Sequence, residues 1–408
     1  MNKYFNIEDK VFDITEKYPE TIDVFVANGF EQFADEKKRE LMGKTISLEM
    51  ALKSKKVNVE LFTQKLIDII EQHRKSVDET LAFQAKKENP DIRIDGVLPC
   101  PVRVPLMDAF NKWMEKEGNK LGVTVDYKLK AASAGVDWIK EEIEKVKSED
   151  FLSDIFISAG FDLFFDDKLM GKFKSKGTFE DIIGFERLNA DFDNEYIDLK
   201  DPNREYSIIG VVPAVFLVNT EELKGREMPS SWEDIFKPEF ENSVSLPIGD
   251  FDLFNAMLLT IYKNYGEEGI TKLGKSMLKG MHPAEMVKSH RSIERPTVTI
   301  MPYFFTKMTK KVGPMTAVWP KDGAIISPIF LLTKKSKKDK LKPFVDLFAS
   351  KEVGEILSHN GRFPSTHPEV NNMISKDNKY MWLGWKYIQE NDIGKLIGKC
   401  EKIFNQAI

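Results

Sequence analysis

The sequence predicts an α/β protein with two lobes that are joined by two crossover strands and preceded by a small all-α domain. Three observations support this fold class. Strand and helix patterns alternate over residues 94–160, as they do in right-handed parallel units. Two long apolar, partly β-branched runs, at 208–218 and 324–332, are typical of strands that are buried on both faces. Residues 1–75 space their apolar side chains as helices do.

Length and composition limit the possible function classes. The chain has 408 residues, more than one ordinary hydrophobic core accommodates, so two or three domains are expected. With 42% hydrophobic and 31% charged residues, the chain is typical of a globular protein. Its net charge of -5 favours neither a nucleic-acid partner nor an anionic membrane surface. Its two cysteines, Cys100 and Cys400, are too few for a disulfide framework or a standard zinc site.

The N-terminal residues bear on localisation. They contain no basic segment followed by an apolar core, which a secretory signal would need. No later window holds about 18 uncharged apolar residues in a row, the length of a membrane span. We therefore expect a cytoplasmic location and no membrane span.

Residues 1–75 predict a helical domain with local start and stop signals. Pro19 interrupts the first helical pattern, Gly29 ends the next, and Thr45 or Ser47 is placed to cap a third helix. The segment resembles a short helical domain of unknown function that occurs in hybrid-cluster-type and other redox or regulatory proteins. The matching residues are Tyr18-Pro19-Glu20, Gly29-Phe30, Ser47-Leu48-Glu49 and Ala51. We interpret it as an interaction or dimerisation module, and residues 76–93 as a polar linker.

The first lobe is predicted to begin with parallel strands whose loops converge. Strands are predicted at 94–98, 123–127 and 154–158, and helices at 106–118 and 136–147. The loops that follow the first two strands are expected at 99–105 and 132–135. Because ligands of open α/β sheets bind outside the carboxyl ends of the strands, these loops are expected to form part of a site.

The second lobe follows the first crossover strand, predicted at 206–219. A helix start is indicated at 229–235, where Ser231 would act as the cap and Asp234 would lie in the first turn. A strand at 244–247, a loop at 248–252, a helix at 253–265 and a strand at 297–302 are predicted next.

Several motifs occur in a fixed order along the second half of the chain. They are Pro229-Ser230-Ser231-Trp232-Glu233-Asp234-Ile235, Pro320-Lys321-Asp322-Gly323, Ser327-Pro328, Ser350-Lys351-Glu352 and Gly361-Arg362-Phe363-Pro364. Together they resemble the type 2 periplasmic-binding-protein family, specifically the solute-binding proteins of ferric iron, thiamine and phosphonate transporters. The resemblance implies a non-catalytic protein that closes two lobes on a small ligand and partners with an ABC transporter. It implies lobe 1 at 94–206 and 320–408, and lobe 2 at 207–319.

Candidate ligand-binding residues lie at the predicted strand ends. Arg103 could neutralise an anion, and Ser133, Ser158 and Gly160 could present hydroxyls and amides to oxygen atoms. The alternative for Arg103 is a solvent-facing charge, and Arg362, in the C-terminal tail, is expected to contribute much less.

Three further candidates come from the second lobe. Asp250 lies in the loop before a helix, which it could cap instead of touching ligand. Tyr303 and Phe304 follow a strand and could stack on a ligand, although such aromatic residues are more often core. Ferric relatives use adjacent tyrosines, whereas this chain has no Tyr-Tyr pair. A small anionic solute is therefore favoured over free ferric ion.

Two other function classes remain open. A cytosolic regulator or scaffold would signal ligand closure to a protein partner through the helical domain. A metal carrier or enzyme would depend on Cys100, which lies between two prolines at a strand end and could be a reactive thiol. The sequence contains no common catalytic or nucleotide-binding motif, and it does not identify a cofactor.

Overall fold

A computed structural model describes residues 4–55, 57, 59, 62–63, 65–67, 69–70, 89–132, 136–248, 251–281, 286–287, 289–291, 295–309 and 313–408. The chain divides into two compact units, residues 1–86 and 87–408. Each unit is described by itself.

The first unit contains helices with an aromatic core. The helices are α1 (Val11–Lys17), α2 (Thr21–Ala27), α3 (Glu36–Gly43) and α4 (Leu48–Ser54). The Ser47 side chain accepts a hydrogen bond from the Met50 amide, which confirms the predicted cap of α4. The ring of Phe25 packs against those of Phe33 and Phe62, with centroids 5.6 and 5.1 Å apart. Buried aromatic pairs of this kind stabilise a small unit beyond their area burial.

The second unit is built on one mixed sheet. Its strands are β1 (Ile92–Leu98), β2 (Val125–Ala131), β3 (Ile155–Ala159), β4 (Ser207–Asn219), β5 (Val244–Leu246), β6 (Met277–Gly280), β7 (Val298–Pro302), β8 (Met315–Val318), β9 (Ala324–Thr333) and β10 (Tyr380–Met381). The order among the described residues is β2-β1-β3-β9-β4-β7-β5-β6, with β10 beside β9 and β8 beside β4.

Two long strands join the halves of this sheet. The first part of β4, up to Pro213, pairs with β9, whereas its second part, from Ala214 onward, pairs with β7. Strand β9 also pairs with β3 over its last five residues. Every residue of β4 and β9 is buried, as continuous apolar runs predict. The α/β fold with two crossover strands is thereby confirmed.

Helices cover the sheet. They are α5 (Cys100–Lys116), α6 (Asp137–Lys145), α7 (Phe161–Phe165), α8 (Trp232–Ile235), α9 (Phe251–Ser276), α10 (Lys338–Phe348), α11 (Lys351–Glu355), α12 (Trp385–Glu390) and α13 (Ile393–Ala407). Within the described ranges, no helix is both long and apolar enough to cross a bilayer.

The predicted loop at 99–105 is wrong, because α5 begins at Cys100. Pro99 precedes the helix and Pro101 lies in its first turn, where backbone amides have no intrahelical acceptor and proline costs little. Pro105 lies inside the helix and removes one backbone hydrogen bond. Three prolines within seven residues therefore indicated a loop, although two of them are compatible with a helix start.

Two other predicted boundaries also shift. Strand β2 runs from Val125 to Ala131 instead of 123–127, because its pairing with β1 continues through the alternating lysines. Helix α9 extends to Ser276 past a kink at Gly266, whose φ of 64° is non-helical. The C-terminal helix α13 packs on α9, with the rings of Phe254 and Phe404 5.2 Å apart.

Candidate functional site

The carboxyl ends of five strands point at the crossover. Strand β9 runs from the crossover into lobe 1, and β3 is antiparallel to it, so the end of β3 faces back toward the crossover. Strands β1 and β2 are parallel to β3 and end on the same edge. In lobe 2, β7 is antiparallel to β4 and parallel to β5, so these two strands also end toward the crossover. The predicted convergence of strand ends is confirmed.

The register places a cleft between the two edges. Ala159, the last residue of β3, lies opposite Ile329 of β9. Pro302, the last residue of β7, lies opposite Ala214, one residue beyond the pair of Pro213 with Ile326. The edges are therefore separated by four residues of β9, or about 13 Å at the rise of a strand. A solute bound between the two edges would lie over this part of β9.

The floor of the cleft is polar. The Ser327 hydroxyl, in the middle of β9, donates a hydrogen bond to the Asp252 carboxylate in the first turn of α9. Both side chains are buried. Gly160, at the end of β3, has a φ of 142°, and a side-chain Cβ there would lie 3.7 Å from Asp252 Oδ1. Asp252 thus lies between the end of β3 and the middle of β9.

The lobe 1 wall holds four of the predicted site residues, and the structure turns two of them inward. Arg103 is 7% exposed, and its Nε donates to the Leu129 carbonyl of β2 at 3.2 Å. Ser158 is 1% exposed, and its hydroxyl donates to the Ala159 carbonyl at 2.6 Å. Cys100 is half-buried as the first residue of α5, and Gly160 lies on the floor.

Two predicted site residues lie outside the described residues. They are Ser133, in the loop after β2, and Asp250, immediately before α9.

The lobe 2 wall is aromatic. Tyr303 and Phe304 begin a 3₁₀ turn, Tyr303–Met308, directly after β7, and both are half-buried. The ring of Tyr303 meets Trp319 edge-on at 5.2 Å, and that of Phe304 stacks on Phe363 at 6.2 Å. The structure therefore places both predicted aromatic residues at the cleft edge.

Arg362 also lies at the cleft edge, although the sequence analysis assigned it only a minor role. Its guanidinium lies 5.0 Å from the Tyr303 ring centroid and donates to the Thr306 hydroxyl. The tail that carries it packs on lobe 1, since the Asn189 amide donates to the Thr366 carbonyl at 2.8 Å. Arg362 thus reaches across the cleft from lobe 1 to lobe 2. The only sequence signal was its place in the Gly361-Arg362-Phe363-Pro364 motif, and Arg362 lies 56 positions after Thr306.

Lys307 extends from lobe 2 to the C-terminal tail on lobe 1. Its Nζ donates to the carbonyls of His359 at 2.6 Å and Asn360 at 2.8 Å. Burial and the nearby positive charge of Arg362 lower the pKa of the Lys307 ammonium. Within the part of the chain that the structure describes, neither Lys307 nor Arg362 forms an ion pair with a carboxylate. Among the described residues, these two cations at the cleft edge therefore have no carboxylate within ion-pair distance.

A family comparison agrees with this architecture. A family model described as "Bacterial extracellular solute-binding protein" matches residues 150–391, more than half of the chain. The chain belongs to this solute-binding protein family. A second model, "Domain of unknown function (DUF1858)", matches residues 5–63, in agreement with the predicted N-terminal helical domain. Comparison with curated proteins gave no match.

Solved structures show the same fold. The ferric binding protein from Campylobacter jejuni aligns at 16% identity with a TM-score of 0.54, covering 78% of this chain and 99% of that one. The periplasmic binding protein AfuA from Actinobacillus pleuropneumoniae, with fructose-6-phosphate bound, aligns at 17% identity and a TM-score of 0.51, covering 77% and 98%. The Trichodesmium protein IdiA (FutA), in complex with iron and citrate, aligns at 12% and 0.53, covering 78% and 98%. The predicted type 2 periplasmic-binding-protein fold is confirmed.

This solute-binding protein has a second phenol near Tyr303. The rings of Tyr380 and Tyr303 both meet Trp319 edge-on, with centroids 5.4 and 5.2 Å from that of the tryptophan. Its buried hydroxyl has no hydrogen-bond partner among the described residues. Burial raises the pKa of this phenol, and the Asp191 carboxylate and Tyr303 raise it further. Tertiary folding thus places the phenol of Tyr380 near Tyr303, although no tyrosine is adjacent to Tyr303 in the sequence.

The described residues of the solute-binding protein contain no cluster of three or more His, Cys, Asp or Glu side chains that could hold a metal ion. Tyr303 could contribute a phenolate oxygen, but the guanidinium of Arg362 lies on its ring. A nearby positive charge disfavours the binding of another cation.

Proposed function

We propose that this solute-binding protein closes its two lobes on a small anionic molecule and releases it unchanged. The observation that carries the proposal is the pair Arg362 and Lys307, which stand at the cleft edge without a carboxylate partner among the described residues. Arginine keeps its charge at every physiological pH and presents a forked donor that matches carboxylate and phosphate. A bound anion would satisfy the remaining donors of Arg362.

The position of these cations also supports closure on the ligand. Arg362 extends from the lobe 1 tail to Tyr303 and Thr306 of lobe 2, and Lys307 extends from lobe 2 to the lobe 1 tail. An anion bound beside them would be attracted by charges from both lobes at once. Its binding energy would therefore favour the closed arrangement over the open one.

An anion fits this site better than a free ferric ion. A trivalent cation would need deprotonated phenols, whereas burial raises the pKa of Tyr380 and Arg362 already occupies the face of Tyr303. Two of the similar solved structures hold an organic anion, fructose-6-phosphate in one and citrate with iron in the other. We further propose an ABC transporter as the partner, as the family relationship suggests.

Thermal unfolding with defined anions tests the proposal. The full chain would be melted with citrate, inorganic phosphate or fructose 6-phosphate, and with ferric chloride alone. Stabilisation by at least one anion, without chemical change of that anion, is the expected result. Native mass spectrometry of the purified protein would add any retained solute to the panel. A neutral or cationic retained solute, or stabilisation by ferric ion alone, would refute the anion assignment.

Calorimetric titration with the stabilising anion then tests Arg362. Since a charge-assisted hydrogen bond contributes about 1.5–3 kcal/mol, Arg362→Gln should weaken binding by about ten- to a hundredfold. Arg187→Gln is the matched control, because Arg187 is exposed and paired with Asp193 on the surface. Equal affinities of both variants and the parent protein would remove Arg362 from the site.

A further inference from the structure

A lysine-rich groove lies on lobe 1, apart from the cleft. It is an open cavity of about 660 Å³ between the end of α6 and the 3₁₀ turn Met170–Phe173. Its lining residues are Glu144, Val146, Lys147, Asp167, Lys168, Lys172, Phe173 and Lys176. Helix α6 starts beyond the carboxyl end of β2 and runs for nine residues, about 13 Å, before it reaches the groove. The groove is therefore at the opposite end of this layer from the cleft.

The groove carries uncompensated positive charge. Four lysines line it against two carboxylates, Glu144 and Asp167, in a chain whose net charge is -5. None of the four lysines forms an ion pair with a described residue, whereas lysines elsewhere on this lobe, such as Lys128 and Lys140, do. The four ammonium groups of the groove therefore exceed its two carboxylates by two positive charges.

Two of these lysines are held side by side. The Lys172 Nζ donates to the Ile143 carbonyl in the last turn of α6 at 2.6 Å. The ammonium groups of Lys172 and Lys176 lie 5.5 and 6.0 Å from the same ring, that of Phe173. Burial lowers the pKa of Lys172, Glu144 partly opposes this effect, and Lys176 adds to it. An anion in the groove would relieve the repulsion between these two like charges.

The shape of the groove favours an acidic segment of chain over a small anionic molecule. Sites for small molecules enclose most of the ligand surface. This cavity is open to solvent, which suits a segment of chain that lies across it. Spaced ammonium groups favour a segment with several carboxylates, and the association would be fast and sensitive to salt.

We propose that this groove docks an acidic segment of a partner protein through Lys147, Lys168, Lys172 and Lys176. The site is independent of the solute cleft, so the protein would hold a solute and an acidic partner at the same time. The partner is defined by its chemistry, a run of glutamate or aspartate side chains in an extended segment.

Fluorescence anisotropy with a labelled octaglutamate peptide tests the docking site on the full chain. The double variant Lys168→Glu/Lys176→Glu should bind at least about tenfold more weakly than the parent protein at low salt. Lys172 is left intact because it is bonded to α6. The control Lys275→Glu/Lys376→Glu changes the net charge equally at exposed lysines outside the groove, and it should bind within about twofold of the parent. Raising the salt from about 20 to about 300 mM should abolish most of the binding.

The outcomes separate the alternatives. Loss of binding in both double variants would show a general charge effect and overturn the proposal, as would no binding by the parent protein. Binding of phosphatidylserine vesicles or pyrophosphate in place of the peptide would also overturn it. Hydrogen exchange should show peptide-dependent protection at residues 143–147 and 166–176, and protection elsewhere only would contradict the location. The groove variant should melt cooperatively and retain the parent's response to anions of the cleft.

Discussion

The arginines at the two edges of the cleft make different kinds of contact. Arg103 of lobe 1 is 7% exposed and donates to the Leu129 carbonyl inside the lobe. Arg362, which reaches lobe 2, is half-buried on the face of Tyr303 and has no carboxylate partner among the described residues. A basic residue near a strand end can bind a ligand only if the fold leaves some of its donors uncommitted. The difference supports a structural role for Arg103 and is the basis of the solute contact proposed for Arg362.

The strongest test of this comparison removes the charges of both cations at the cleft edge. The double variant Arg362→Gln/Lys307→Met should weaken binding of the stabilising anion by about a hundredfold, since two charge-assisted contacts are lost. Titration calorimetry measures the affinity, and a cooperative melt shows that the variant is folded. Binding within tenfold of the parent protein would mean that the anion is held elsewhere in the cleft.

Arg103→Met tests the other half of the comparison. It should lower the free energy of unfolding by about 1–3 kcal/mol, because a buried carbonyl loses a donor, and leave solute affinity unchanged. Urea denaturation measures the first quantity and calorimetry the second. Arg187→Gln, at an exposed ion pair, is the control, with a stability change within about 1 kcal/mol. If Arg103→Met weakens binding while stability is unchanged, the two arginines have been assigned in reverse.

One carboxyl group in each lobe, Asp95 and Asp234, makes the stability of the protein depend on pH, and the two effects have opposite signs. Burial raises the pKa of Asp95 in lobe 1, and the hydrogen bond from Ser153 only partly offsets this. Burial also opposes ionisation of Asp234 in lobe 2, but hydrogen bonds from Lys237, Ser230 and Ser231 outweigh it and lower its pKa. Ionised Asp95 therefore costs stability as pH rises above the unfolded pKa of about 4, whereas ionised Asp234 adds stability that is lost as pH falls below it.

Asparagine variants should shift stability at pH 7 in opposite directions. Asp95→Asn should raise the free energy of unfolding by roughly 0.5–2 kcal/mol, and Asp234→Asn should lower it by about 0.3–1 kcal/mol. Each difference from the parent should shrink as the pH approaches about 3, where the unfolded carboxyl is protonated. Urea denaturation across this pH range measures both, and shifts of the same sign would contradict the contrast.

The smallest expected effect concerns the Tyr380 hydroxyl. Because it is buried without a partner among the described residues, Tyr380→Phe should raise the free energy of unfolding, by up to about 1 kcal/mol. Tyr18→Phe is the control, since the Tyr18 hydroxyl donates to the Tyr4 carbonyl and its loss should destabilise the protein. Thermal unfolding decides the matter, and destabilisation by Tyr380→Phe would show that the hydroxyl is bonded in solution.

Local signals determined much of the fold. The crossover strands follow from continuous apolar runs, which are stable only when both faces are buried. The caps Ser47 and Ser231 follow from side-chain oxygens placed before helical spacing, and both accept the expected amide. The convergence of the strand ends followed from the chirality of parallel units. Each of these inferences depends on residues close together in the chain or on a general rule of topology.

Only the tertiary structure decided which side chains remain available for chemistry. Arg103 and Arg362 have the same charge in the sequence, but one meets a carbonyl 26 positions away and the other a tyrosine 59 positions away. Tyr380 and Tyr303 share one tryptophan, although 77 positions separate them. The lysines of the groove are likewise brought together from two segments. Side-chain availability depends on long-range contacts, whose residue pairs a single sequence does not specify.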